Sequence, residues 1–366
     1  MLLRELTAVL DSIAPLRYAE PWDNVGLLAG DPAQTVSGVL LTIDYTAAVA
    51  AEARDAGCDA VIAYHPPLFS AVKRITGDGS TALLHDAIRR GVALYSPHTA
   101  LDVADGGTND LLADLVGLGV DRRPLRPHAA AATEYKLVTF VPADAVDIVS
   151  QALFAAGAGH IGNYAACSFR GPGTGTFFGQ AGTIPTVGVA GRMESADELR
   201  VETVVPIGKV EPVLRALRET HPYEEPAFDL VVLAAPPSSR GIGRLGPVAE
   251  VTAVEVVERV KRGLEVSHVL FAGDPARPVR TVAMCAGAGG DLLGEAIAAG
   301  ADLYLTGELR HHDALRAVAA GMAVICTLHS NSERAVLRRL ADRLGREAPG
   351  PAYQVSRADR DPFAIR

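Results

Sequence analysis

The apolar positions of this chain fall into short blocks separated by amphipathic stretches, in a rhythm that is regular at both ends and broken in the middle. Val36 to Ile43, Ala60 to Ala63 and Val92 to Tyr95 are apolar runs of strand length. Between and after them, Ala47 to Ala56, Thr81 to Arg90 and Gly107 to Val116 carry helical spacing, the first two stopped by Gly57 and Gly91. Strands with no polar alternation, separated by helices, predict a parallel or mixed sheet covered on both faces. The last third repeats the pattern. Strands are predicted at Val279 to Cys285, Leu303 to Thr306 and Val324 to Leu328, with helices at Asp291 to Ala299, His312 to Ala320 and Ser332 to Leu344. The two ends therefore read as halves of one α/β domain.

The middle has a different order. Tyr135 to Val141 reads as a strand and Asp144 to Ala156 as a helix, followed by an irregular glycine-rich stretch from Gly157 to Gly191. Val201 to Pro206, Lys209 to Glu219 and Phe228 to Leu233 then read as strand, helix and strand. This pattern fits a ferredoxin-like α+β unit inserted into the outer domain. His128 to Glu134 and Ala235 to Gly241, rich in Ala, Pro and Ser, are the expected linkers. The expected division is residues 1–130 plus 240–366 for the outer domain and 131–239 for the insert.

Composition narrows the function classes. A chain of 366 residues exceeds one ordinary domain, and 49% apolar content supplies a large core. The net charge of −9 argues against nucleic acid as a partner. The one Arg-rich run, Arg334 to Arg346, is spaced as a solvated helix face. The four cysteines form no CxxC pair and read as small buried hydrophobes of a reducing compartment. The N-terminal residues lack the pattern of a secretory signal and no apolar stretch has the length of a membrane span, so a cytoplasmic protein is expected.

Two distant stretches offer metal-binding chemistry. Tyr64-His65-Pro66-Pro67 closes one buried run, and His329-Ser330-Asn331-Ser332-Glu333 closes another just before a long helix. Asp102, after Ser96-Pro97-His98-Thr99, adds a carboxylate. These nitrogen and oxygen donors suffice for one or two divalent cations, with zinc, iron or manganese all suited to the mixture. Plainer readings stand beside each. His65 is a strand-end histidine, Asp102 a turn residue before Gly106, and Glu333 an acidic residue favouring a helix N-terminus capped by Ser330 or Ser332. His98 reads either as a partner of the ligands or as a general acid/base. Asp44 and Glu308 sit at strand exits, where such sheets place functional groups, or are helix caps. His311-His312 reads as a surface pair. Gly287-Ala288-Gly289-Gly290-Asp291 is either a phosphate cradle or a tight turn.

Trp22-Asp23-Asn24-Val25-Gly26-Leu27, Tyr64 to Phe69, Ser96 to Asp102 and Leu328 to Glu333 occur in the order of one family, and together the chain resembles the NIF3 family. Its bacterial members carry the label GTP cyclohydrolase 1 type 2 homolog. Gly159 to Tyr164 and His221-Pro222-Tyr223-Glu224-Glu225-Pro226 resemble the CutA- or PII-like domain inserted in longer members. The resemblance implies a mixed-sheet α/β domain and a di-metal site inside a toroidal homohexamer. It maps ligands onto His65, Asp102, His329 and Glu333, with Glu333 bridging two ions. Tyr64 stands where many members have His. A phenol with a pKa near ~10 is a poorer ligand at neutral pH, so the second ion is expected to be weaker, differently held or missing. The expected activity is divalent-metal-dependent hydrolysis of a nucleotide-like substrate; on that reading the residues themselves offer His98 as proton shuttle and, for a nucleotide, Gly287 to Asp291 and Trp22 to Leu27 as contacts. The alternative is a metal-binding regulatory or scaffold protein without turnover.

Overall fold

A computed structural model of the chain describes residues 1–128, 133–234 and 238–364. The chain forms two compact units, Met1–His128 with Ser238–Arg366, and Ala129–Pro237.

The first unit contains two five-stranded mixed sheets. One has the order Gly26–Ala29, Ala93–Ser96, Ala60–Ala63, Gly38–Thr42, Ala352–Val355. Its first joint is antiparallel and the other three are parallel. The second has the order Arg244–Thr252, Pro278–Ala288, Leu303–Glu308, Ala323–Cys326, Leu270–Ala272, parallel inside and antiparallel at both outer joints. Strands 38–42, 60–63, 93–96 and 323–326 are buried at every residue, which explains their unbroken apolar character.

The two chain ends interlock rather than stack as separate halves. Ala352–Val355 pairs in parallel with Gly38–Thr42, more than 300 residues earlier. Helix Asn331–Glu347 sends Val336, Leu337, Leu340 and Leu344 into the core that also holds Leu6 and Ile62. Three α-helices in this unit went unread in the sequence, the six-residue His98–Val103 and two longer ones. Leu3–Ile13 buries Leu3, Leu6, Leu10 and Ile13, a helical spacing compressed against the chain start. Ala253–Leu264 opens with a Thr252/Glu255 capping box, a signature visible in the sequence itself.

The second unit runs Glu134–Pro142, Val146–Ala155, Ser168–Phe178, Met193–Pro206, Val210–Thr220, Phe228–Val232, in the order strand-helix-strand-strand-helix-strand. Its antiparallel sheet has the order 168–178, 193–206, 134–142, 228–232. The stretch expected to be irregular thus contains an eleven-residue strand, Ser168–Phe178, paired continuously with Met193–Pro206. Glycines at 171, 173 and 175 hid it, because glycine is a poor strand former and leaves no apolar alternation to read. Leu137, Val141, Val201 and Val205 face the two helices. Of the two expected linkers, residues 129–132 and 235–237 lie outside the described residues. The chain leaves and re-enters the first unit side by side, with Gly241 and Ile242 paired to Pro127 and Arg126.

Among the described residues no helix is long and apolar enough to cross a membrane. All four cysteines are free, with Cys58, Cys285 and Cys326 buried.

Candidate metal centre

Parallel strands bring their C-terminal exits side by side, and the site is built from that fact. Thr42 and Ala63 are register partners, so Asp44 and His65, two residues further on, emerge together. His65 Nδ1 lies 2.9 Å from Asp44 Oδ1. Pro66 and Pro67 then end the strand. Burial alone would depress the His65 imidazolium, but the hydrogen bond with Asp44 and the nearby negative charges of Glu333 and Asp44 outweigh it and lift the pKa to about 10. The same hydrogen bond is the main reason the Asp44 carboxyl is held below its usual range.

The second sheet repeats the device. Leu303–Glu308 and Ala323–Cys326 run in parallel, and His329 Nδ1 lies 3.0 Å from Glu308 Oε1. Leu328 turns the chain with φ +70°, a left-handed conformation that L side chains disfavour, immediately before this histidine. His329 precedes helix Asn331–Glu347, so its approach to Glu333 arises from this turn and not from a shared helix face. Ser330 makes no side-chain cap bond. Its hydroxyl donates to Asp361 Oδ2 at 2.8 Å, while Ser332 Oγ donates to the His329 carbonyl at 2.6 Å.

Both imidazoles converge on Glu333. His65 Nε2 is 3.3 Å from Oε2, and His329 Nε2 is 3.3 Å from Oε1. The Glu333 side chain is 3% exposed, and Oε2 is a buried oxygen without a hydrogen-bond partner. Donor atoms of His65, His329 and Glu333 all lie within 4.8 Å of one another. This set fits a divalent cation on three grounds. With Nδ1 of each ring directed at a carboxylate, Nε2 is the atom that would face an ion, which on binding would displace any proton held there. Two ligands each ~2.0–2.1 Å from a tetrahedral zinc stand ~3.3–3.4 Å apart. A buried carboxylate oxygen left unbonded is costly, and coordination would satisfy it.

His98 repeats the histidine–carboxylate pattern a third time. Its Nδ1 lies 2.8 Å from Asp23 Oδ1, and Asp23 Oδ2 accepts from Thr99 Oγ1 at 2.5 Å. Burial would raise the Asp23 pKa, but the bonds with His98 and Thr99 prevail and lower it. The His98 ring stands 5.3 Å from that of His65, and His65 stands 5.4 Å from His329. The Trp22 ring is 6.0 Å from His98 and 6.1 Å from Phe69. Trp22 and Phe69 are 59% and 53% exposed, an aromatic ledge beside the histidines.

Tyr64 and Asp102 lie outside the three-donor group and are paired with each other. The Tyr64 hydroxyl donates to Asp102 Oδ1 and lies 3.2 Å from Thr108 Oγ1. Burial, and then the Asp102 charge, push the phenol well above its usual pKa, so it remains a neutral donor. Burial likewise raises the Asp102 carboxyl to about 6, against the opposing pull of the Tyr64 bond. The negative charge of Glu333 adds to the rise.

Glycine shapes the remaining wall. Gly287 has φ +65°, and a Cβ there would stand 2.7 Å from Glu333 Oε1 and 3.3 Å from His329 Nε2. The amides of Gly287 and Gly289 already donate to Ser332 Oγ and Thr306 Oγ1. The glycines therefore serve close approach to the donors, and two of the amides that a phosphate cradle would use are taken. His311 and His312 are exposed at the start of helix His311–Ala319 and lie outside the cluster. The carboxylates that orient the histidines, Asp23, Asp44 and Glu308, were underread in the sequence. The usable signal for Asp44 and Glu308 was their position at strand exits.

Comparison with known proteins gives a consistent result. The profile of the Duf34/NIF3 (NGG1p interacting factor 3) family matches residues 1–362. A Mycobacterium tuberculosis protein named GTP cyclohydrolase 1 type 2 homolog is 40% identical over 336 residues, 90% of this chain and 88% of that protein. A Bacillus subtilis protein of the same name is 34% identical over 367 residues, covering 99% and 98%. Among solved structures, a Bacillus cereus protein related to NIF3 is 33% identical with a TM-score of 0.67, covering 100% of this chain and 99% of that one. A Staphylococcus aureus protein is 28% identical with a TM-score of 0.73 at the same coverage.

Proposed function

We propose, from the premise that this chain belongs to the Duf34/NIF3 family, that it is a divalent-metal-dependent hydrolase of a nucleotide-like substrate. The observation that carries the metal half of this reading is the convergence of His65, His329 and Glu333, with the Glu333 Oε2 atom buried and unbonded. These three residues would hold the ion, with Asp102, whose pKa already responds to the Glu333 charge, as the additional carboxylate. A bound zinc, iron or manganese ion supplies Lewis acidity and lowers the pKa of water toward ~7.

The chain's own residues supply positioning and proton transfer. Asp44 and Glu308 fix the orientation of His65 and His329. Asp23 does the same for His98, leaving His98 Nε2 as the atom that takes a proton from the attacking water and returns it to the leaving nitrogen. Trp22 and Phe69 offer a planar base a stacking surface beside these groups, an interaction worth ~1–3 kcal/mol per base elsewhere. The name carried by the mycobacterial and Bacillus relatives directs the reading to a purine ring that is opened by hydrolysis. Tyr64, held neutral on Asp102, limits what a second ion could use, and we read the site as holding one ion firmly. The homohexamer belongs to the same proposal and is tested by light scattering.

The experiment joins elemental analysis to turnover. Purified protein is expected to retain close to one divalent ion per chain and to hydrolyse a member of a guanine nucleotide panel. Glu333→Gln should lose both, and His98→Gln should keep the ion while losing roughly 100-fold or more in rate. Stoichiometric metal with no turnover of any nucleotide would leave a metal-binding regulatory or scaffold protein instead.

A further inference from the structure

The inserted unit has a cavity of its own, independent of the metal centre. It encloses about 530 Å³ on the face of the sheet that the two helices leave free. Phe140 and Glu198 line it, whereas the alternate positions Leu137, Val141 and Val201 pack toward the helices. Gly173 pairs with Glu198 and Gly175 with Ala196, so the floor carries no side chains on the neighbouring strand. A Cβ at Gly175 would overlap the Glu198 carboxylate, which leans across this bare strip. The glycines that obscured the strand in the sequence are what open the space.

The roof is fixed to the walls. The loop after Phe178 is tied to the turn at residues 222–224 by Ile184 N donating to Glu224 Oε1 at 3.2 Å and Thr186 Oγ1 donating to the Pro222 carbonyl at 2.8 Å. Tyr223 is held by its own amide, which donates to His221 Nδ1 at 3.1 Å. With Nδ1 accepting, His221 Nε2 carries the proton and donates to the Phe140 carbonyl at 2.9 Å. The turn is thus pre-formed, and half-buried Tyr223 ends in a hydroxyl shielded from solvent beside Glu198, burial and that carboxylate both raising its pKa, while it makes no hydrogen bond of good geometry.

The charges in this space are uneven. Arg200, the one basic lining residue, is paired with Glu202 at 2.8 Å. Glu198, Glu224 and Glu225 form no ion pair among the described residues. We propose that this cavity binds a small apolar molecule carrying one cationic amine or amidine group. Its body lies against Phe140, Phe177 and Pro185 and its cation on Glu198, with the Tyr223 hydroxyl completing the polar contact. The volume is in the range of small-molecule sites, and mostly apolar walls with a few converging polar groups are their usual composition. An anionic ligand would meet three carboxylates without a free cation to offset them.

The test uses the full chain and two probes that share one ring, benzamidine as cation and benzoate as anion, in calorimetric titrations. Benzamidine is expected to saturate at one per chain and benzoate to show no binding. Glu198→Gln should weaken benzamidine roughly tenfold or more by removing the charge-assisted bond. Glu198→Asp should restore part of it, and Tyr223→Phe should weaken it severalfold. The metal content should not change in any of the three. Equal binding of both probes, no binding of benzamidine, or an affinity indifferent to Glu198→Gln would overturn the proposal. So would a change in particle mass by light scattering in Glu198→Gln, because the face would then be one that a second copy of the chain covers.

Discussion

Replacing Asp102 with asparagine should remove a pH-dependent weakness from the metal-free protein. Burial raises the Asp102 pKa from 3.8 to about 6, so the folded state binds this proton more tightly than the unfolded chain does. Stability is then greatest with the carboxyl protonated, falls as pH rises from about 4 through about 6, and stays reduced above that. A gap of about two pH units at ~1.4 kcal/mol each comes to about 3 kcal/mol. The substituted side chain cannot ionise, and it keeps an amide oxygen for the Tyr64 hydroxyl that Asp102 now accepts. The other shifted groups at the site act in different windows. Asp23 and Asp44 have lowered pKa values, so the stability they add is lost only on acidification below about 4. His65 is raised to about 10, so its contribution is complete below about 6.5 and is lost as pH climbs through 10. Subtracting the two proteins' curves between pH 4 and 7 therefore isolates Asp102. The assay is urea denaturation in the presence of a chelator, since any bound ion would stabilise the native state by mass action. Asp102→Asn should gain on wild type by about 3 kcal/mol across that interval. Curves that stay parallel from pH 4 to 7 would refute the reasoning.

Three further outcomes are expected. Asp44→Asn and Glu308→Gln each remove the group that orients a histidine Nδ1, and each should weaken zinc binding by roughly 10–100-fold in competition titrations while Glu333 stays in place. Gly287→Ala places a methyl against Glu333 Oε1 and a side chain at φ +65°, so it should lower the stability to unfolding by about 1–2 kcal/mol and also reduce metal affinity; a fully neutral result would show that the wall is softer than drawn. Arg244→Met strips Asp110 of a bond at 2.6 Å and removes the guanidinium donors from the carbonyls of Gly241, Gly243 and Val103, which should destabilise the first unit by about 3 kcal/mol in chemical denaturation.

Much of this molecule is determined by local pattern. The strands at 60–63 and 93–96, buried throughout, and Leu303–Glu308, buried up to Gly307, could be read because a parallel strand covered on both faces is largely apolar, and runs this short between helical stretches are too brief for a buried helix. His65, His329 and Glu333 could be singled out because each directly follows or flanks such a run. The family was legible for the same reason, since its motifs sit at those strand exits in a fixed order. Ser168–Phe178 was not legible, because its order comes from eleven consecutive pairings with a partner strand and not from its own glycine-rich residues.

Tertiary structure alone decided the rest. Nothing near Ala352 or Gly38 announces that these segments become neighbours in one sheet, because register between distant strands depends on how the whole chain closes. Nor does sequence spacing reveal that His65, His98 and His329 each have a carboxylate on Nδ1, since Asp44, Asp23 and Glu308 are 21, 75 and 21 residues away from them. The identity of a donor is written in the sequence, but its direction is set by the neighbour that holds its other nitrogen, and only the folded chain supplies that neighbour.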